Sequence, residues 1–110
     1  PDVAWVSRQR WESLSTQEQE RFPPLCPDFV IELRSRSDSL SSLQDKMLEY
    51  LDNGLRLGWL IDPQEQQVEI YRQGQPVQIL ALPARLSGED VLPGFTLSLA
   101  NIQDGHTLML

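Results

Sequence analysis

Three side chains in the first half of the sequence could together form a metal-assisted hydrolytic site: Asp2, Glu32 and Lys46. Asp2 opens the run Asp-Val-Ala-Trp-Val-Ser, and Glu32 lies within Asp28-Phe29-Val30-Ile31-Glu32-Leu33-Arg34. Both runs are rich in β-branched and aromatic residues and read as strands, over 2–7 and 28–34. If the strands pair, both carboxylates project from one face. A carboxylate withdrawn from water is costly unless it is paired or bound to metal. Two close together repel, and a divalent cation removes that repulsion. All-oxygen donors suit Mg²⁺ or Mn²⁺. Lys46 brings an ammonium that can orient a water or stabilise charge developing on a phosphate. The same residues also admit a purely structural account, with Glu32 paired to Arg34 or Arg36, Lys46 paired to Glu49 or Asp45, and Asp2 a strand-end acid.

The elements that must position these groups follow from periodicity. In strand 28–34, Phe29, Ile31 and Leu33 share one face, while Asp28, Val30, Glu32 and Arg34 share the other. Asp28 also follows a proline, but it stands four residues from Glu32, roughly 13 Å along a strand, too far to share an ion with it. It reads as a strand-start acid. The serine-rich segment 35–42 with Asp38 signals a helix start. A helix over 39–53 then carries Leu40, Leu43, Met47, Tyr50 and Leu51 as one apolar stripe, with Lys46 at its margin and Gly54 as a left-handed cap. Residues 57–62 form an apolar strand stopped by Pro63. Strand, helix, strand in this order predicts a parallel pair with a right-handed crossover. Residues 67–73 and 76–82 read as a hairpin around Gly74-Gln75, and 95–99 as a last extended segment. Residues 8–27 read as irregular, except for a short helix near 16–21 that Ser15 and Glu18 would start as a capping box.

Composition sets outer limits. The chain has 110 residues, enough for one small domain, with 40% hydrophobic and 23% charged residues. There is no apolar run long enough for a membrane span and no visible secretory leader, and the one cysteine, Cys26, makes no internal disulfide. A cytoplasmic protein is the expectation. The net charge of −7 is spread over both halves: residues 1–55 carry 6 basic and 10 acidic side chains, and residues 56–110 carry 3 and 6. That excludes a protein gripping nucleic acid mainly through a broad basic surface. His106 has no Cys or His partner for a zinc site, and no phosphate-binding glycine loop or nucleophile elbow is present. Trp5, Trp11 and Trp59 read as core or core-edge residues.

Pro27-Asp28-Phe29-Val30-Ile31-Glu32-Leu33-Arg34-Ser35-Arg36-Ser37-Asp38, then Lys46 with Tyr50 and Gly54, Trp59-Leu60-Ile61-Asp62-Pro63, Val68-Glu69-Ile70-Tyr71-Arg72 and Leu92-Pro93-Gly94-Phe95 form an ordered pattern. Together they resemble the Uma2 family (DUF820) of the PD-(D/E)XK nuclease superfamily. The resemblance runs from residue 1 to about 102, leaving 103–110 as a tail. It implies an α/β, restriction-endonuclease-like fold with a mixed central sheet and a flanking helix. It also implies that the N-terminal helix and first strand of family members lie outside this sequence, so that the chain is an N-terminally truncated domain with an open sheet edge. Pro1-Asp2 matches the family's Pro-Asp, and Glu32 its second acid. The third position of that element is Arg34 rather than lysine, and the lysine role passes to Lys46 on the helix. Arg36 stands where proline is usual.

The resemblance therefore implies Asp2 and Glu32 as ligands of Mg²⁺ or Mn²⁺ and Lys46 as the third catalytic residue. Arg34 becomes a phosphate contact, or else a salt-bridge partner of Glu32 or Asp38. The implied reaction is hydrolysis of phosphodiester bonds in DNA, with a homodimer expected by analogy. The rival expectation is a catalytically inactive domain of the same fold that serves as a protein-interaction module.

Overall fold

Alternating apolar residues build a sheet whose two faces are covered by different parts of the chain. The computed structural model describes residues 1–20 and 26–100; Pro23, Pro24, His106 and the expected tail 103–110 lie outside the described residues. In chain order the elements are β1 (Val3–Trp5), α1 (Arg8–Glu12), α2 (Thr16–Glu20), β2 (Phe29–Leu33), α3 (Leu40–Asp52), β3 (Leu57–Asp62), β4 (Gln67–Arg72), β5 (Gln78–Ala81), β6 (Ala84–Ser87) and β7 (Thr96–Leu99). Strands β1 to β5 form one mixed sheet in sequential order, and β6 and β7 form a separate two-stranded sheet. The β2–α3–β3 unit gives the parallel pair expected of it, with Glu32 opposite Leu60. The remaining pairs are antiparallel.

On one face of the large sheet, Phe29, Leu57, Trp59, Ile61, Val68 and Ile70 pack with Leu86 of β6 and Leu99 of β7, so the small sheet is a lid over that face. On the opposite face, Val30, Leu60 and Tyr71 pack with Leu43, Met47 and Leu55. The stripe expected on α3 is therefore the contact surface of that helix, although Tyr50 and Leu51 are only partly buried. Gly58 permits this approach. A Cβ there would lie 2.6 Å from Met47 Cε and 2.9 Å from Leu55 Cδ2.

The ends of α3 are set by local hydrogen bonds. Ser39 Oγ accepts from Ser42 N at 3.1 Å, the expected N-cap interaction. At the far end, Gly54 N donates to Leu51 O at 3.1 Å and Leu55 N to Tyr50 O at 2.9 Å. This pair is the Schellman arrangement, and Gly54 takes the left-handed backbone it requires, with φ +105°. Leu55 then drops into the core beside Met47.

Two parts differ from the sequence reading. Residues 8–12 form α1 rather than an irregular stretch, capped by Ser7 Oγ, which accepts from Arg10 N at 3.3 Å. The last extended segment pairs with β6, which the sequence did not reveal. The capping box that starts α2 forms in both directions: Ser15 N donates to Glu18 Oε1 at 2.8 Å and Glu18 N to Ser15 Oγ at 3.1 Å.

Candidate active site

Strand pairing brings the backbone of Asp2 beside β2, the strand that carries Glu32. Val3 pairs with Ile31, the last pair of the β1–β2 ladder, and Asp2 N donates to Ile31 O at 3.1 Å, so Asp2 lies beside β2 just past the end of the ladder. Asp2 is exposed, and its Oδ2 accepts from Leu33 N at 2.6 Å. The Pro1 nitrogen lies 3.4 Å from Glu32 Oε1, which measures how near this backbone runs to that carboxylate.

Glu32 is 4% exposed and lies on the face of β2 that α3 covers. Its Oε1 is 3.0 Å from Lys46 Nζ and accepts from Tyr50 Oη at 3.1 Å. The spacing of four residues places Lys46 and Tyr50 one above the other on α3, and Lys46 Nζ lies 5.9 Å from the Tyr50 ring centre. Helix and strand thus meet at one carboxylate oxygen. Oε2 of Glu32 accepts no hydrogen bond from the described residues. The hydrogen bond to Glu32 raises the pKa of Lys46 against the opposing effect of partial burial. Burial first, then the Glu32 charge, raises that of Tyr50.

The structure brings Glu32 and Lys46 into contact on the helix-covered face, leaves the exposed Asp2 side chain on the backbone of Leu33, and gives Arg34 other partners. Arg34 Nη1 lies 3.0 Å from Asp62 Oδ2, and Arg34 Nε donates to Asp38 O at 3.2 Å. Parallel pairing explains this: Leu33 aligns with Ile61, so the next residues, Arg34 and Asp62, are neighbours. Asp62 is fully buried and also accepts from Gln64 N and Glu65 N. Asp28 does not join the site. It is 3% exposed and ties α1 to the sheet, accepting from Ser7 N at 2.9 Å and pairing with Arg10 Nη1 at 2.7 Å.

Sequence reasoning placed Tyr50 only in the apolar stripe and missed its hydroxyl contact. The available signal was its position four residues after Lys46. It also missed a cluster between β4 and α3, where Glu69, 2% exposed, accepts from Tyr71 Oη at 2.7 Å and from Gln44 Nε2 of α3 at 3.0 and 3.1 Å. This fastens the N-terminal half of α3 to β4 as Lys46 and Tyr50 fasten its C-terminal half to β2. A cavity of about 720 Å³ opens beside these residues, with Lys46 and Tyr50 in its wall and Arg10, Glu49 and Asn53 around it.

Compared with known families, residues 1–100 match Uma2, described as "Putative restriction endonuclease". The chain belongs to the Uma2 family. Among solved structures it is similar to "a putative nuclease belonging to DUF820" from Anabaena variabilis ATCC 29413, at 33% identity and a TM-score of 0.61, covering 67% of this chain. The chain spans 42% of the length of that nuclease. No curated protein matches. The mixed α/β fold expected of a Uma2 domain is thus observed, with a five-stranded mixed sheet and one flanking helix of substantial length, α3. Among the described residues of this Uma2 chain, no helix is long and apolar enough to cross a membrane.

Proposed function

We propose that this Uma2 domain hydrolyses phosphodiester bonds in DNA as a metal-dependent endonuclease, with Asp2, Glu32 and Lys46 as its catalytic residues. The observation that carries this reading is Glu32, a nearly buried carboxylate that faces Lys46 Nζ at 3.0 Å, with the Asp2 carboxylate on the backbone of the next residue, Leu33.

The donor set suits a hard cation. No group of three or more His, Cys, Asp or Glu side chains that could hold a metal occurs among the described residues. Mg²⁺ does not need one, because it keeps several waters and binds through one or two carboxylates plus substrate phosphate. Asp2 and Glu32 would hold it. Such an ion would supply Lewis acidity toward a phosphate and make a water more acidic.

The chain's own residues supply the rest. Lys46 keeps its proton, because Glu32 raises its pKa. Its ammonium would act as a positive charge and hydrogen-bond donor toward the attacking water or the phosphate. Arg34 is held by Asp62 and by the Asp38 carbonyl. Its Nη2 bonds no described residue and is the edge it would offer to a phosphate. The charge of −7 keeps non-specific affinity for DNA low, and with few cationic side chains to displace counterions that affinity should change only weakly with salt.

A plasmid-nicking assay tests the reading. The protein carrying this chain should nick supercoiled DNA with Mn²⁺ or Mg²⁺, lose the activity in EDTA, and lose it in Glu32→Gln. No cleavage by well-folded protein with either ion would instead support a non-catalytic interaction module.

A further inference from the structure

We propose that Tyr50 is a positioning residue for the metal site: its hydroxyl fixes the Glu32 carboxylate so that Oε1 serves Lys46 and Oε2 is left to bind the cation. This inference rests on the endonuclease reading and adds to it a residue on α3.

Glutamate is a flexible ligand. Its side chain turns about three bonds, so a Glu at the rim of a sheet can offer either oxygen in several directions. Glu32 is not free to do so. Tyr50 Oη and Lys46 Nζ, at 3.1 and 3.0 Å, converge on the same oxygen. Two donors on one oxygen define the plane of the carboxylate and leave the lone pairs of the other unengaged among the described residues. A cation and a hydrogen-bond donor cannot share a lone pair, so this division suits a carboxylate that must serve a metal and a lysine together.

Tyr50 is itself well anchored. Its carbonyl accepts from Leu55 N at 2.9 Å and Asn53 N at 3.1 Å in the helix cap, and from Cys26 Sγ at 3.5 Å. Its ring packs against the core under α3. Three contacts thus fix the Tyr50 backbone and core packing fixes its ring, so the place of the hydroxyl relative to β2 is set by the fold. Lys46 is different: its side chain is 44% exposed and has a long flexible stem. Of the two donors, tyrosine is the one able to set the carboxylate's orientation, and lysine follows it.

The test is Tyr50→Phe, which keeps the ring and its packing and removes one oxygen. Mn²⁺ affinity is measured by calorimetry, without substrate, in wild type, Tyr50→Phe, Glu32→Gln and the double variant. Loss of an outer hydrogen bond to a metal ligand commonly weakens binding by about tenfold or more. A rise in Kd of about tenfold is therefore expected, with a fall in kcat, little change in KM, and a near-native melting temperature. In the Glu32→Gln background the Tyr50 substitution should add almost nothing. A Tyr50→Phe protein that melts lower but binds Mn²⁺ as wild type does would make the hydroxyl purely structural and overturn the inference alone. Wild type that binds no Mn²⁺ would overturn the metal reading and this inference together. Additive losses in the double variant would show that Tyr50 acts elsewhere than through Glu32.

Discussion

Replacing Lys46 by methionine separates a catalytic lysine from an ordinary salt bridge, because the two roles predict different ratios of lost activity to lost stability. Methionine keeps most of the unbranched stem and removes the ammonium. Removing one partner of a fully buried pair costs about 3–5 kcal/mol. Here only one partner is buried: the Glu32 side chain is 5% exposed but that of Lys46 is 44% exposed. Water reaches the ammonium and screens the pair, so its worth belongs with surface pairs, about 1 kcal/mol or less. Glu32 also keeps Tyr50 Oη as a donor, which limits the cost of leaving it behind. For a domain of this size, 1 kcal/mol shifts the melting temperature by about 4–8 °C. The catalytic role predicts far more in activity: a positioned proton donor or charge in a hydrolytic site contributes about 10²–10⁴-fold, or roughly 3–5 kcal/mol of barrier. Urea denaturation and Mn²⁺-dependent nicking of one preparation read both quantities. The expected result is a stability loss near 1 kcal/mol beside a rate loss of at least about 100-fold. A variant that loses several kcal/mol of stability but cleaves at the wild-type rate per folded molecule would refute the assignment of Lys46.

Three further outcomes follow from the packing and charge. Gly58→Ala places a methyl against Met47 and Leu55; both are flexible but fully buried, so denaturant titration should show a loss of about 1–2 kcal/mol. Asp28→Asn weakens the hold of Arg10 and Ser7 on β2 and should cost about 1–3 kcal/mol while leaving nicking per folded molecule unchanged; a collapse of activity in a folded variant would make Asp28 part of the site. Burial and the Glu69 hydrogen bond raise the pKa of Tyr71 well above its ordinary value of 10.0. The folded state then holds this proton after the unfolded chain has released it. The contribution is fully present below pH 10 and is lost as pH rises through the folded value, so urea titrations at pH 8 to 11 should show stability flat at first and falling above 10, with a shallower fall in Tyr71→Phe.

Much of this was legible in the sequence because the signals were local. The stripe from Leu40 to Leu51, the serine at its start and Gly54 at its end define α3 by neighbours within one or two turns, and alternation in 28–34 separates Phe29 from Glu32 without any knowledge of partners. What the sequence hid was pairing over distance. Helix α1 has five residues and no buried side chain; beyond its own cap it is tied down by contacts distant in sequence, such as that of Arg10 with Asp28, 18 residues away. Strand β6 is four residues long, and its single fully buried residue, Leu86, carries no period. The partner of Arg34 was expected at Glu32 or Asp38. The Asp38 carbonyl does accept from it, but its ion pair is with Asp62, and only the register of β2 against β3 reveals that. Tyr50 at helical spacing is indistinguishable from another core residue until Glu32 is seen above it.

The central claim is that one cation sits between Asp2 and Glu32, and crystals soaked in Mn²⁺ test it most directly. An anomalous peak is expected with carboxylate oxygens from both residues at about 2.0–2.3 Å and Glu32 Oε1 still on Lys46 and Tyr50. A map with no peak there, in protein that cleaves DNA in the same buffer, would contradict it.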